Sequence, residues 1–218
     1  MRGFLFFALF LAGASLLLAQ AVHTRGPLEG MGRTERSAVG GGGEPERPVY
    51  TITDLRTYEV TGRTEDEILA SLRANGPRSG ERSFFGLTET EMEFRYWKVP
   101  SETGCALDRI RLDLHVVFTL PRWEPGRETP YALRRDWARF ESALRRHEDQ
   151  HRAIAERNAR AVYHALRDLR TPSCDSIDER ARQLAERMRA DGEREQYAFD
   201  QRTRHGGTQG ALWPPSSR

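Results

Sequence analysis

The sequence predicts an α+β domain in which a small antiparallel sheet packs on one long helix. Residues 49–60, 88–99 and 105–120 alternate apolar and polar side chains with a period of two, the pattern of half-buried strands. Leu133, Trp137, Phe140, Leu144, His147, His151, Ile154, Asn158, Val162, Leu166 and Leu169 recur in steps of three and four, the stripe of a single amphipathic helix. The strand patterns come first and the long helical patterns follow, an order that fits α+β better than alternating βα units.

Residues 1–21 have the parts of a secretory signal: Arg2, an uncharged and mostly apolar run over 4–18, and the cleavage pattern Ala19-Gln20-Ala21. The run is short of the roughly 20 residues a membrane-spanning helix needs. Cleavage is the expectation, with an uncleaved N-terminal anchor as the alternative, and no stable membrane insertion is expected after cleavage. Residues 22–48, with the run Gly40-Gly41-Gly42-Gly43, have too few bulky apolar side chains to order themselves and read as a flexible leader. The domain is expected over 49–212, followed by a short tail over 213–218.

Within the domain, 49–60 predicts one or two short strands. Gly62 turns the chain, and Thr64 with Glu67 three residues on is a capping box for a helix that buries Ile68, Leu69 and Leu72. Asn75-Gly76-Pro77 stops that helix. Met92, Phe94 and Tyr96 share one face of the next strand. Ile110, Leu112, Leu114, Val116, Phe118 and Leu120 share one face of the strand after it, which Pro121 and Pro125 end. Pro130 opens the long helix, expected over 131–169 in one piece or two, and Thr171-Pro172 closes it. A last helix carries Ile177, Ala181, Leu184, Ala185 and Met188 and reaches toward Phe199. The Gly- and Pro-rich remainder is not helical.

The 34 basic and 32 acidic residues leave a formal charge of +2, so there is no strong field to recruit nucleic acid or acidic lipid. Lys98 is the only lysine, and the arginines lie beside acids along the helices as on a solvated face. Cys105 and Cys174 are the only cysteines. In an exported chain such a pair predicts a disulfide, here between the central strand and the segment after the long helix.

Chemistry concentrates at His147-Glu148-Asp149-Gln150-His151, an H-E-x-x-H pattern. On a helix, His147 and His151 lie one turn apart on one face and can grip one metal ion, with zinc the expected cofactor. Both fall in the buried stripe. Glu148 is placed to take a proton from a water beside the metal. A third ligand is needed. His164 is out of helical phase with the pair, and His115 lies on the strand face opposite the apolar run. Glu179, Glu186 and Glu195 on the last helix are alternatives. His205 is preferred, since Gly206-Gly207 allows tight turns close to a metal. Asp200 is expected to hydrogen-bond a ligand histidine from behind.

Several stretches resemble a bacterial family of predicted secreted zinc-dependent proteases known as domain of unknown function 922. These are Tyr58-Glu59-Val60-Thr61-Gly62-Arg63-Thr64 with Gly76-Pro77, Trp97, the strand carrying Cys105, Trp137 through the histidine motif, Cys174, and 197–211 with its Thr-x-His-Gly and Gln-Gly-Ala. The resemblance implies a zincin-like domain and points to His205 as the ligand in the tail. The expected function is a periplasmic or secreted zinc metalloendopeptidase acting on a peptide or protein substrate, with Glu148 as general base. The alternative is a non-catalytic, zinc-stabilised envelope protein that binds a partner.

Overall fold

The computed structural model describes residues 49–80 and 82–215, together with two short strands, β1 (Arg2–Phe4) and β2 (His23–Arg25), that pair antiparallel. The cleavage pattern at 19–21 and most of the expected signal and leader lie outside the described residues.

The domain is α+β, with a mixed sheet and three helices. β3 (Val49–Val60) leads into α1 (Glu65–Asn75), whose N-terminus is closed by Thr64 Oγ1 accepting from the Glu67 amide at 3.2 Å. The Glu67 carboxylate reaches back to the Arg63 amide at 2.6 Å, so two otherwise orphaned donors are satisfied. A small hairpin of β4 (Arg78–Ser79) and β5 (Arg82–Ser83) precedes β6 (Leu87–Ser101). β7 (Gly104–Trp123) is the central strand, with β6 antiparallel on one side and β3 parallel on the other.

The expected all-antiparallel sheet is therefore corrected to a mixed one. Period-two alternation records which face of a strand is buried and carries no information on strand direction, so β3 could not be oriented from its own residues. The expected stop at Pro121 is also passed. β7 continues to Trp123, and Pro121 falls beyond Thr119, where β6 no longer flanks it, an edge-like position of the kind proline tolerates.

α2 (Tyr131–Asp168) is one unbroken helix of 38 residues, about 57 Å long at the usual rise. β8 (Arg170–Thr171) adds a short pairing to β7 at Cys105–Ala106. α3 (Ile177–Thr203) returns along α2. Its inner face is lined by Ile177, Ala181, Ala185 and Gly192, and the two alanines and the glycine let the two helices approach closely. A methyl group on Gly192 would lie 2.8 Å from the Asn158 side chain.

Two apolar clusters share α2. One gathers Leu112, Leu114, Val116, Ala159, Val162, Leu166, Ile177 and Ala181 between the sheet and α3. The other gathers Ile68, Leu72, Leu120, Trp123, Trp137, Phe140, Leu144 and Trp213 at the opposite end. Trp137 sits within 5.5 Å of the ring centroids of Trp123, Phe140 and Trp213. Trp213 is buried, so the core extends one residue past the expected end of the domain. His147, Glu148 and His151 occupy the stretch of α2 between the two clusters.

Cys105 and Cys174 form a disulfide across 69 residues of sequence, tying β7 to the turn before α3. Among the described residues no helix is long and apolar enough to cross a membrane. Closing a loop of that length stabilises by about 4 kcal/mol in the chain-entropy model. Replacing both cysteines by alanine is expected to lower the unfolding free energy by roughly that amount, read from denaturant titration, and unreduced protein is expected to show no thiol that can be alkylated.

Candidate metal centre

The two seam histidines face each other across one turn of α2, with ring centroids 4.8 Å apart and planes nearly perpendicular. Each has its outer nitrogen fixed by a glutamine oxygen. His151 Nδ1 lies 2.5 Å from Gln196 Oε1, and Gln196 Nε2 donates to the backbone oxygen of His151 at 2.9 Å, which sets the orientation of that amide. His147 Nδ1 lies 2.9 Å from Gln209 Oε1, and Gln209 Nε2 donates to Gln150 Oε1 at 3.2 Å. An amide oxygen can only accept, so in each neutral imidazole Nδ1 carries the hydrogen and Nε2 presents a lone pair.

Those two lone pairs converge on a carboxylate. The Nε2 atoms are 3.2 Å apart, and Asp200 Oδ1 lies 3.2 Å from that of His147 and 3.0 Å from that of His151. All three side chains are buried. Three acceptors that close, shielded from water, repel one another unless a cation sits among them. The spacing suits one: tetrahedral ligands about 2.0–2.1 Å from a zinc ion lie roughly 3.3 Å apart. The donor set, two imidazoles and a carboxylate, can hold a metal ion.

In the metal-free cluster a proton relieves the same conflict. Burial opposes charge on His151, but its hydrogen bond to Asp200 and the nearby Glu148 carboxylate outweigh burial and raise its pKa. Burial would also raise the Asp200 carboxyl, but its hydrogen bonds with His147 and His151 prevail and hold it well below the usual carboxylate range.

Phe199 supports both rings, stacked on His147 and edge-on to His151, each at 4.9 Å between centroids. Gly206, at φ 81°, closes the other side of His147. A methyl group there would lie 3.0 Å from the imidazole Cγ and 2.9 Å from Ala211 Cβ, so the turn after α3 can approach the ring only as glycine.

Glu148 points to the other side of α2 from the solvent. Thr88 Oγ1 on β6 donates to its Oε2 at 2.7 Å, and burial raises its carboxyl pKa despite the neighbouring histidines. Its Oε1 faces Gly86, where an added methyl group would lie 2.7 Å away. Glu148, His147, His151 and Asp200 all line one cleft of about 400 Å³, walled by residues 82–88 and by the segment after α3.

The structure thus brings His147, Glu148 and His151 together as the sequence placed them and sets Asp200 at the third corner. His205 stands outside that triangle. It is partly exposed, packs edge-on against Phe84 at 5.6 Å, and its Nδ1 lies 3.4 Å from Asp200 Oδ2. α3 stays helical to Thr203, so Asp200 lies on its inner face, whereas His205 follows the left-handed cap at Arg204. Glu179, Glu186 and Glu195 pair with Arg182 or Arg157. Gln196, Gln209, Thr88 and Phe199 were not anticipated. The stripe Ile177, Ala181, Ala185, Met188, Gly192, Gln196 runs in steps of three and four, and Phe199 and Asp200 follow three and four residues past Gln196, a signal present in the sequence past the last apolar run.

Raising pH removes the proton that competes with a metal. Stability from the raised His151 is fully present below about pH 6.5, its ordinary value, and is lost as pH rises through the folded value. Stability from the lowered Asp200 is present above about pH 3.8 and is lost as pH falls through its folded value. The gain in Tm on adding Zn²⁺ to chelator-treated protein is therefore expected to grow between pH 6 and 8, measured by thermal melts at fixed free metal. Gln196→Ala is expected to weaken metal binding by about 10–100-fold, as loss of a partner behind a ligand histidine typically does, read by competition with a fluorescent chelator.

A model of the family described as Bacterial protein of unknown function (DUF922) matches residues 55–206. No curated protein and no solved structure matches the chain.

Proposed function

The chain belongs to that bacterial family, whose description carries no activity, and we propose from the site itself that it is a zinc-dependent peptidase of zincin-like design, exported from the cytoplasm. The observation that carries this reading is the buried Glu148 carboxylate next to the His147, His151 and Asp200 group, opening on the same cleft. Three protein ligands leave one position free, which is the pattern of catalytic rather than structural zinc sites. A purely structural site has no use for a further carboxylate beside its ligands. The disulfide supports export into an oxidising compartment.

When bound, zinc would polarise a peptide carbonyl and lower the pKa of a water to about 7. His147 and His151 would hold the ion at Nε2, and Gln209 and Gln196 keep the rings turned that way. Glu148 accepts the proton of the attacking water at its carboxylate and delivers it to the departing amine. Thr88 holds one carboxylate oxygen, leaving Oε1 toward Gly86 and the cleft.

Glu148→Gln keeps the size of the side chain and removes its basicity. It is expected to retain fold and zinc content and to lose at least 10²–10⁴-fold in turnover, the usual worth of positioned acid–base catalysis. The assay follows an unfolded protein or a peptide library, with chelation and zinc add-back as controls. Cleavage equal to the wild type would remove Glu148 from the reaction. Full zinc occupancy with no cleavage of any substrate by the wild type would favour the non-catalytic binding protein.

A further inference from the structure

Resting on the peptidase reading for the nature of the ligand, we propose that the cleft selects peptides carrying a carboxylate, on an acidic side chain or at a free C-terminus. The cleft has apolar walls, among them Phe84, Phe85, Leu144 and Leu212, and a rim that carries two guanidinium groups, Arg82 and Arg204. Among the described residues the carboxylates lining it are Glu148 and Asp200. Both are occupied at the metal group, Glu148 by Thr88 and Asp200 by the histidines. Among the described residues no further acid lines the cleft beside the arginines.

Arg82 and Arg204 are exposed and form no ion pair among the described residues. Other exposed arginines, such as Arg145 and Arg187, also lack an acid partner among the described residues, but Arg82 and Arg204 are the ones that line the cleft. The two stand on different segments, Arg82 on β5 and Arg204 at the end of α3, and Phe84 meeting His205 brings those segments together over the cleft.

The backbone under the rim is itself held in an uncommon state. Arg204 and His205 are consecutive non-glycine residues at φ 51°, followed by Gly206 at φ 81°. Non-glycine residues in the left-handed region are disfavoured and cluster where function requires a fixed direction. Here the turn is locked by the His205 amide donating to Asp200 O at 3.0 Å and the Ala211 amide donating to Gly206 O at 3.0 Å. A guanidinium carried on that turn at the edge of the cleft offers a fork for a carboxylate, with two parallel N–H donors.

The test measures binding rather than turnover, on the zinc-loaded Glu148→Gln protein, by fluorescence anisotropy. The probes are labelled apolar hexapeptides carrying one central Glu, Gln or Lys with an amidated C-terminus, and the Gln peptide with a free C-terminal carboxylate. At least one carboxylate-bearing probe is expected to bind about tenfold tighter than the amidated Gln peptide, with the Lys peptide weakest. The Glu arm and the free-terminus arm distinguish the two sources of the charge. Arg204→Gln and Arg82→Gln are each expected to reduce the preference to within about threefold, with zinc content and Tm unchanged. Equal binding of all four probes, or no binding of any, would overturn the proposal. A carboxylate preference without cleavage by the wild type would keep it and remove the peptidase reading. Cleavage by the wild type with charge-indifferent binding would do the reverse.

Discussion

The structure turns on a repulsion. Two imidazole lone pairs and a carboxylate oxygen are held 3.0–3.2 Å apart in a buried space, and each is held there by something else. Gln196 fixes one ring, Gln209 fixes the other, and Phe199 packs on both. A protein does not hold like groups together at random, because an unpaired buried acceptor costs on the order of 1–3 kcal/mol. The packing of α3 on α2, the small residues between them and the glycine turn after α3 all serve to bring Asp200 and the two glutamines to that point. The apolar clusters flank it on either side along α2.

Sequence and structure agree where the information is local. The seam of α2, the Thr64 cap, the face of β7 and the cysteine pair all follow from periodicity or residue type within a short window. What could not be read was non-local. The direction of β3 depends on how the chain returns through α1 and β6, and nothing in residues 49–60 records it. The third corner of the triangle depended on how far α3 runs. His205 is the better metal ligand by residue type, but Asp200 is on the inner face of a helix that persists to Thr203. The polar residues Gln196 and Asp200 sit on the apolar phase of that helix, a mismatch that marks a functional face once its length is known.

Glu148 shows why burial and exposure must be judged together. Its carboxylate is buried and hydrogen-bonded, which alone would suit a structural role, and it also borders the cleft beside Gly86. The approach at Gly86 is tight enough that even a methyl group would press on the carboxylate. The β6 segment and the motif helix therefore fit each other at one shared surface, and the same contact that anchors Glu148 forms the floor of the cleft.

The division of the core into two clusters along α2 has a consequence for how the domain opens. The disulfide ties the start of α3 to β7, while the end of α3 is held largely through Gln196, Phe199 and Asp200. A cation shared by His147, His151 and Asp200 would add a third tie at that second attachment. It would join the end of α3 to α2 at the stretch where the two clusters meet, and so would couple the two half-cores to one another.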